Sequence, residues 1–274
     1  MSLDTNSSPH ASRPVVVLGA AGRLGRELVH AALRRGYPVT AVARNREKLR
    51  QALQGADSAL LTLTEADARD AEALAVMMKG ASAVVNSAGT AADGAAFVEL
   101  GRTVIHAAER ALGPGGRLWF LGGLGVMRIP HTNRLGIDLP GMPGMYQTHR
   151  ANHETLRASA LDWSMLCPGP LIDTADRPAL ASLRISTEVL PFEIEVSDAP
   201  DDVQLFSRLR ARLPETTIPY ATAAEVVMSH LEKEGPFSRQ RVGIALPVGR
   251  TAEKQGWSLS SNSPQRNGAL APER

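Results

Sequence analysis

A chain of 274 residues, 43% hydrophobic and 21% charged, can build one domain with a sizeable core, burying roughly three quarters of its unfolded surface, and its composition excludes a disordered, collagen-like or coiled-coil chain. Thirty basic against 28 acidic residues leave a net charge of +2, and Lys and Arg are scattered rather than gathered into runs, which argues against a nucleic-acid partner. The single cysteine, Cys167, excludes an internal disulfide and a cysteine-rich zinc site and points to a reducing, cytoplasmic compartment.

Residues 1–13 hold Ser, Asn and Pro without the apolar core of a secretory signal and read as a disordered tail. No apolar run of about 18 residues follows, so no membrane span is expected. Val15-Val16-Val17-Leu18 is apolar, largely β-branched and ends at glycine, a strand signal; residues 24–35 then repeat apolar positions at Leu24, Leu28, Ala31 and Ala32, a helical period. Gly36 is placed to stop that helix, and 38–43 reads as a second strand. The alternation continues with a helix near 47–53, a strand near 59–63, a helix near 71–78 opened by Asp70 as its N-cap, and a strand at 83–86. A longer helix over 94–112 breaks at Gly113-Pro114-Gly115-Gly116, the fifth strand spans 117–121, and a helix from about Tyr146 and a strand at 163–166 complete the core. Strands alternating with helices predict an α/β fold, a Rossmann-type doubly wound parallel sheet over residues 14–250, with chemistry at the carboxyl ends of the strands. The prolines and mixed polar residues of 169–220 break the rhythm and predict a small substrate or cap lobe, while 251–274 reads as a disordered C-terminal tail.

At the end of the first strand stands Gly19-Ala20-Ala21-Gly22-Arg23-Leu24-Gly25. Glycine there allows a tight turn, lets backbone approach a pyrophosphate, and lets helix and strand pack closely, while the helix start offers N–H groups to the anion. The same spacing is found in ordinary strand-to-helix turns, but its place inside a βαβ unit predicts a dinucleotide turn built from Gly19, Ala21, Gly22, Arg23, Leu24 and Gly25. An acid at the end of the second strand would bind a ribose 2′-hydroxyl; this chain has Ala43-Arg44-Asn45 instead. Arg44, with Arg23 and Lys48, suits a 2′-phosphate, so NADP(H) is the expected cofactor; the competing reading leaves Arg44 and Lys48 as solvated charges at a helix start.

Over residues 14–250 the chain resembles the atypical short-chain dehydrogenase/reductases, the NAD(P)H-binding group that includes NmrA-like proteins. The resemblance is carried by the glycine turn, Ala43-Arg44, Asp67-Ala68-Arg69-Asp70, Val85-Asn86-Ser87-Ala88-Gly89 and the segment 146–168. It implies that Asp67 and Ala68 border the adenine and that Asn86, Ser87, Ala88 and Gly89 run along the cofactor. It also implies a catalytic Tyr-x-x-x-Lys pair on one helical face, which here is Tyr146-Gln147-Thr148-His149-Arg150. Tyr146 is then the expected proton donor to a carbonyl, and Arg150 the fixed cation that lowers the phenol's pKa and holds ribose hydroxyls. The group's serine after the fifth strand is absent from Leu121-Gly122-Gly123-Leu124-Gly125, and its Arg-Pro-Gly has become Cys167-Pro168-Gly169.

Two functions follow from the resemblance. One is an NADPH-dependent reductase of a small or medium carbonyl or alkene; the other is a non-catalytic NAD(P)H-binding regulator, which the altered pair would explain. His149 and His153, four apart with Glu154 beside them, lack a third ligand and the order of a zinc helix, so no metal is expected. Cys167 reads as packing, since no base can be assigned to it. Met127, Met142 and Met145 flank the Pro- and Gly-rich stretch 128–144, which suits either one wall of an apolar substrate pocket or simple padding.

Overall fold

The computed structural model describes residues 13–196, 201–257 and 259. The buried strand β1 (Val15–Leu18) leads through the glycine turn into α1 (Arg23–Arg34), followed by β2 (Val39–Ala43), α2 (Arg46–Ala52), β3 (Leu61–Glu65), α3 (Ala71–Met78), β4 (Ala83–Asn86), α4 (Ala95–Leu112) and β5 (Arg117–Leu121). The second half carries α5 (Gln147–Ala158), β6 (Asp162–Cys167), β7 (Leu171–Ile172), β8 (Arg184–Thr187), α6 (Asp202–Arg212), β9 (Ile218–Pro219), α7 (Tyr220–Met228) and β10 (Gln240–Ala245).

One eight-stranded sheet runs in the order β3-β2-β1-β4-β5-β6-β10-β8. Its neighbours are parallel except the last, where β8 runs antiparallel to β10. Both faces are covered, which explains the nearly continuous apolar strands. Val15 and Val17 pack with Leu24 and Leu28 of α1 on one face, and Val16 and Leu18 pack with Leu74, Val104 and Ile105 of α3 and α4 on the other. Strand order reverses between β1 and β4, and such a reversal opens a ligand crevice beyond the strands' carboxyl ends.

Local signals act as the sequence predicts at several joints. Gly36, at φ 74°, takes the left-handed conformation that ends α1, and the following Tyr37 N–H closes onto Ala32 O at 3.1 Å. Asp70 caps α3 by accepting from the Glu72 and Ala73 N–H groups. The third strand lies at Leu61–Glu65, two residues later than its apolar run suggests. Two core elements were not legible: α7, buried nearly all round, has no amphipathic stripe, and β10 follows a polar stretch.

The 169–220 span is only partly a lobe. β7 and β9 form a small parallel pair and α6 buries Leu205 and Leu209, but β8 leaves the lobe to become an edge of the main sheet. The reading of 251–274 as a tail is corrected at its start. Residues 251–257 lie along the body, with Ala252 N–H donating to Pro214 O at 2.9 Å and Trp257 N–H to Lys254 O at 3.1 Å. The rest of that stretch except Leu259, and residues 1–12 of the expected N-terminal tail, lie outside the described residues. Among the described residues no helix is long and apolar enough to cross a membrane.

Candidate functional site

The glycine turn and the segment after β4 meet at the strand-order reversal. Gly19 has φ 75°, and a Cβ there would stand 2.8 Å from Ala88 Cα, so the turn passes directly against Ser87 and Ala88. Ser87 fastens the junction by donating its hydroxyl to Leu18 O at 2.7 Å. A Cβ at Gly25 would fall 2.1 Å from Gly19 O, which makes glycine obligatory for seating α1 on β1. Gly22 is exposed and caps α1 without a side-chain bond, and the helix's first turn carries no acid. The first N–H groups of α1 therefore stay available to an anion. Ala21 lies half-buried in the same turn. Asn86, buried at the end of β4, accepts the Ala88 N–H at 3.2 Å and leaves its Nδ2 without a partner among the described residues. Uncapped N–H groups, an unsatisfied buried donor and missing Cβ atoms fit the charged linker of a dinucleotide.

Arg44 and Asp67 are adjacent at the ends of β2 and β3, joined by Ala66 N–H to Ala43 O at 3.0 Å. Arg44 is exposed and forms no ion pair among the described residues. Asp67 is engaged by Arg69, whose guanidinium holds the carboxyl down at about 2, and Arg44 adds to the effect. Ala68 is buried beside it. Asn45 caps α2 by accepting from the Lys48 N–H at 2.7 Å. Arg23 does not join Arg44: it turns toward Asp173 beyond β7, at 3.7 Å, where Arg26 also donates at 3.0 Å, because that carboxylate offers the opposite charge.

A cavity of about 380 Å³ extends from Leu24, Ala88 and Gly89 past Gly122 and Gly123 to Tyr146 and His149. Met142 and Met145 stand in its wall as the sequence allows, whereas Met127 is buried in the core. Tyr146 closes a short 3₁₀ turn ahead of α5 and is half-buried. Burial pushes its phenol pKa up, with the indole N–H of Trp257 pulling the other way. The expected partnership with Arg150 is therefore corrected: the Arg150 guanidinium is captured by Asp138 from the 128–144 stretch, and the phenol is raised rather than lowered.

His149 takes the place beside Tyr146. Its ring lies nearly parallel to the phenol, 6.2 Å between centroids, and meets the edge of Phe97 at 5.6 Å. Burial holds its pKa down at about 4, so the imidazole is neutral at pH 7. A Cβ at Gly123 would stand 2.9 Å from His149 Cδ2, and one at Gly122 would stand 2.7 Å from Met165. A serine at either position would require the Met165 or His149 side chain to shift. His153 packs separately against Trp163, 5.5 Å between centroids, so the two histidines do not converge. The Cys167 thiol is buried and pushed up to about 12, which suits packing and not nucleophilic attack.

Lys254 and Trp257 also line the cavity. Nothing in the periodicity of 251–274 announces them; the available signal was Trp257, the only aromatic residue after Phe237 in an otherwise polar stretch.

Comparison with known proteins agrees with this geometry. Protein YwnB of Bacillus subtilis (strain 168), named uncharacterized, is 32% identical over 171 residues, 59% of this chain and 74% of that protein. A Rossmann-fold NAD(P)-binding family protein from Shigella flexneri superimposes with a TM-score of 0.61 at 17% identity, over 90% of this chain and 99% of its own. A short-chain dehydrogenases/reductase from Veillonella parvula DSM 2008 in complex with NADP gives a TM-score of 0.62 at 16% identity, over 89% and 99%. These structures share the fold. Residues 19–198 match the family described as NAD(P)H-binding, and with the glycine turn seated at the sheet's switch point, the chain belongs to that family.

Proposed function

We propose that this protein is an NADP(H)-dependent oxidoreductase reducing a small or medium carbonyl or alkene in the cytoplasm, with Tyr146 as the proton donor. The observation that carries the reading is the placement of Tyr146 in a largely apolar cavity continuous with the glycine turn. Gly19, Gly22 and Gly25 with the start of α1 would hold the pyrophosphate, Ser87, Ala88 and Gly89 would border the nicotinamide half, and Asp67 and Ala68 would border the adenine. When bound, the nicotinamide supplies hydride. The chain's own part would be to exclude water with Phe97, Met142 and Met145 and to hold the protonated Tyr146 Oη in the cavity, where burial opposes its ionisation. Trp257 N–H facing that oxygen would stabilise the phenolate left after donation. The single buried Cys167 supports the reducing compartment.

The choice of NADP(H) rests on Arg44, exposed and unpaired at the end of β2 where an acid would serve NAD(H). Arg44→Ala is expected to weaken NADPH binding by about 1–3 kcal/mol and leave NADH unaffected. Isothermal calorimetry with each nucleotide decides it; equal losses would remove Arg44 from the 2′-phosphate.

Tyr146→Phe keeps the ring and removes only the acid. Turnover is expected to fall by about 100-fold with NADPH affinity unchanged. One observation favours a non-catalytic regulator: Arg150 is held by Asp138, and a lysine at 150 would meet the same carboxylate. If the wild-type chain oxidises NADPH with no member of a broad carbonyl and enone panel while still binding it, the regulator reading replaces the enzyme.

A further inference from the structure

Among the described residues lining the cavity, Lys254 is the one charged side chain. An ammonium in a largely apolar wall is unfavourable unless something answers its charge. Among the described residues that answer is incomplete. The charged groups that act on it are Arg23, which repels it, and Asp173, which is already shared between Arg23 and Arg26. Three cations thus gather around one carboxylate, beside a helix start that has neither a side-chain cap nor an acid in its first turn. The backbone holds Lys254 in place: Ala252 N–H is tied to Pro214 O, and Trp257 N–H returns to the lysine's own carbonyl.

We infer that Lys254 binds the pyrophosphate of the dinucleotide, and that residues 251–257 form a wall of the cofactor cleft reaching from the glycine turn to Tyr146. This rests on the NAD(P)H-binding reading of the same cleft and adds a ligand from outside the βαβ unit. The chemistry matches in charge, since a pyrophosphate carries two negative charges and the cleft mouth holds an excess of positive ones. It also separates two roles: Arg44, on the far side of the turn, serves the 2′-phosphate, whereas Lys254 serves the group that NADPH and NADH share.

The test uses the full chain and both reduced nucleotides, titrated separately by nicotinamide fluorescence. Lys254→Gln is expected to raise the dissociation constants of NADPH and NADH by a common factor of about ten, the scale of one charge-assisted hydrogen bond, and Lys254→Arg to keep most of the affinity. A second readout needs no variant: trypsin cleavage of the wild-type chain after Lys254, followed by intact mass, is expected to slow severalfold with saturating NADPH. Unchanged affinities in Lys254→Gln, a loss confined to NADPH, or cleavage indifferent to NADPH would each overturn the assignment. A wild-type chain that binds neither nucleotide would overturn the dinucleotide reading as well, whereas normal wild-type binding with an unaffected Lys254→Gln variant sinks this inference alone.

Discussion

Replacing Gly22 by valine is expected to raise the dissociation constant for NADPH by at least about 100-fold while moving the melting temperature by no more than a few degrees. Gly22 is exposed, with φ −77° and ψ 167°, an extended conformation that valine adopts readily. A Cβ there meets only Gly19 O, at 3.2 Å, so the fold has little to lose. The added methyls would instead stand over the uncapped start of α1, in the space a phosphate needs. Gly25→Ala is the contrasting case. Its Cβ would lie 2.1 Å from Gly19 O and 2.7 Å from Ala20 Cα, backbone atoms that no rotamer change can move. A loss of about 3 kcal/mol in stability is expected, at the upper end of the cost of overpacking. Calorimetry and thermal melts on the pair separate binding from folding. Normal NADPH affinity in Gly22→Val would end the phosphate-turn reading, and an unchanged melt in Gly25→Ala would contradict the packing of α1 on β1.

Acidification is expected to cost several kcal/mol of stability before the carboxylates titrate. His149 and His153 are both buried, and burial is the main cause that lowers each from 6.5 to about 4, with Arg241 adding to the effect at His153. The unfolded chain takes up protons at these sites below about pH 6.5, and the folded chain refuses them until about pH 4. Stability is therefore fully present above the unfolded pKa and drains away as pH falls through that window, by up to roughly 3 kcal/mol for each histidine. Denaturant midpoints at pH 7, 5.5 and 4.5 should show the fall, and the double variant His149→Gln, His153→Gln should flatten it. A wild-type profile level from pH 6.5 to 4.5 would show that neither imidazole is held neutral. The same shift leaves His149 facing the cavity uncharged across the neutral range.

The glycine turn and its place at the switch point were legible because they are local. Gly19 and Gly25 are dictated by the backbone of one turn, Gly22 stands between them at the helix start, and Arg44 lies at the end of a strand that periodicity already identifies. Asp70 as a cap and Gly36 as a helix stop are likewise short-range rules written within a few residues. The surroundings of Tyr146 and Arg150 were not legible, because their decisive contacts are long-range. Nothing near Arg150 in sequence reveals that Asp138 takes its guanidinium, and the indole that opposes the effect of burial on Tyr146 belongs to Trp257, more than a hundred residues away. The absence of the serine also has a long-range counterpart, since the Met165 and His149 side chains occupy the space a Cβ would take at Gly122 and Gly123. The polar composition of 251–274 suggested a tail, since one tryptophan and one backbone bond to Pro214 leave no periodic trace. β8 was hidden for a related reason: an edge strand whose residues are all half-buried lacks the apolar run of the central strands.

The place of β10 in the sheet has a consequence for how the chain is made. It follows all the other described strands in chain order, yet it sits between β6 and β8 and is the partner of both. At about 5–20 residues per second, the roughly 70 residues between β6 and β10 occupy a ribosome for some 4 to 14 seconds. Throughout that interval β6 carries an apolar, unpaired edge that a nascent chain nearby could capture. A chain cut short before Gln240 lacks the strand that joins β8 to the sheet, so both β6 and β8 lose their partner at once.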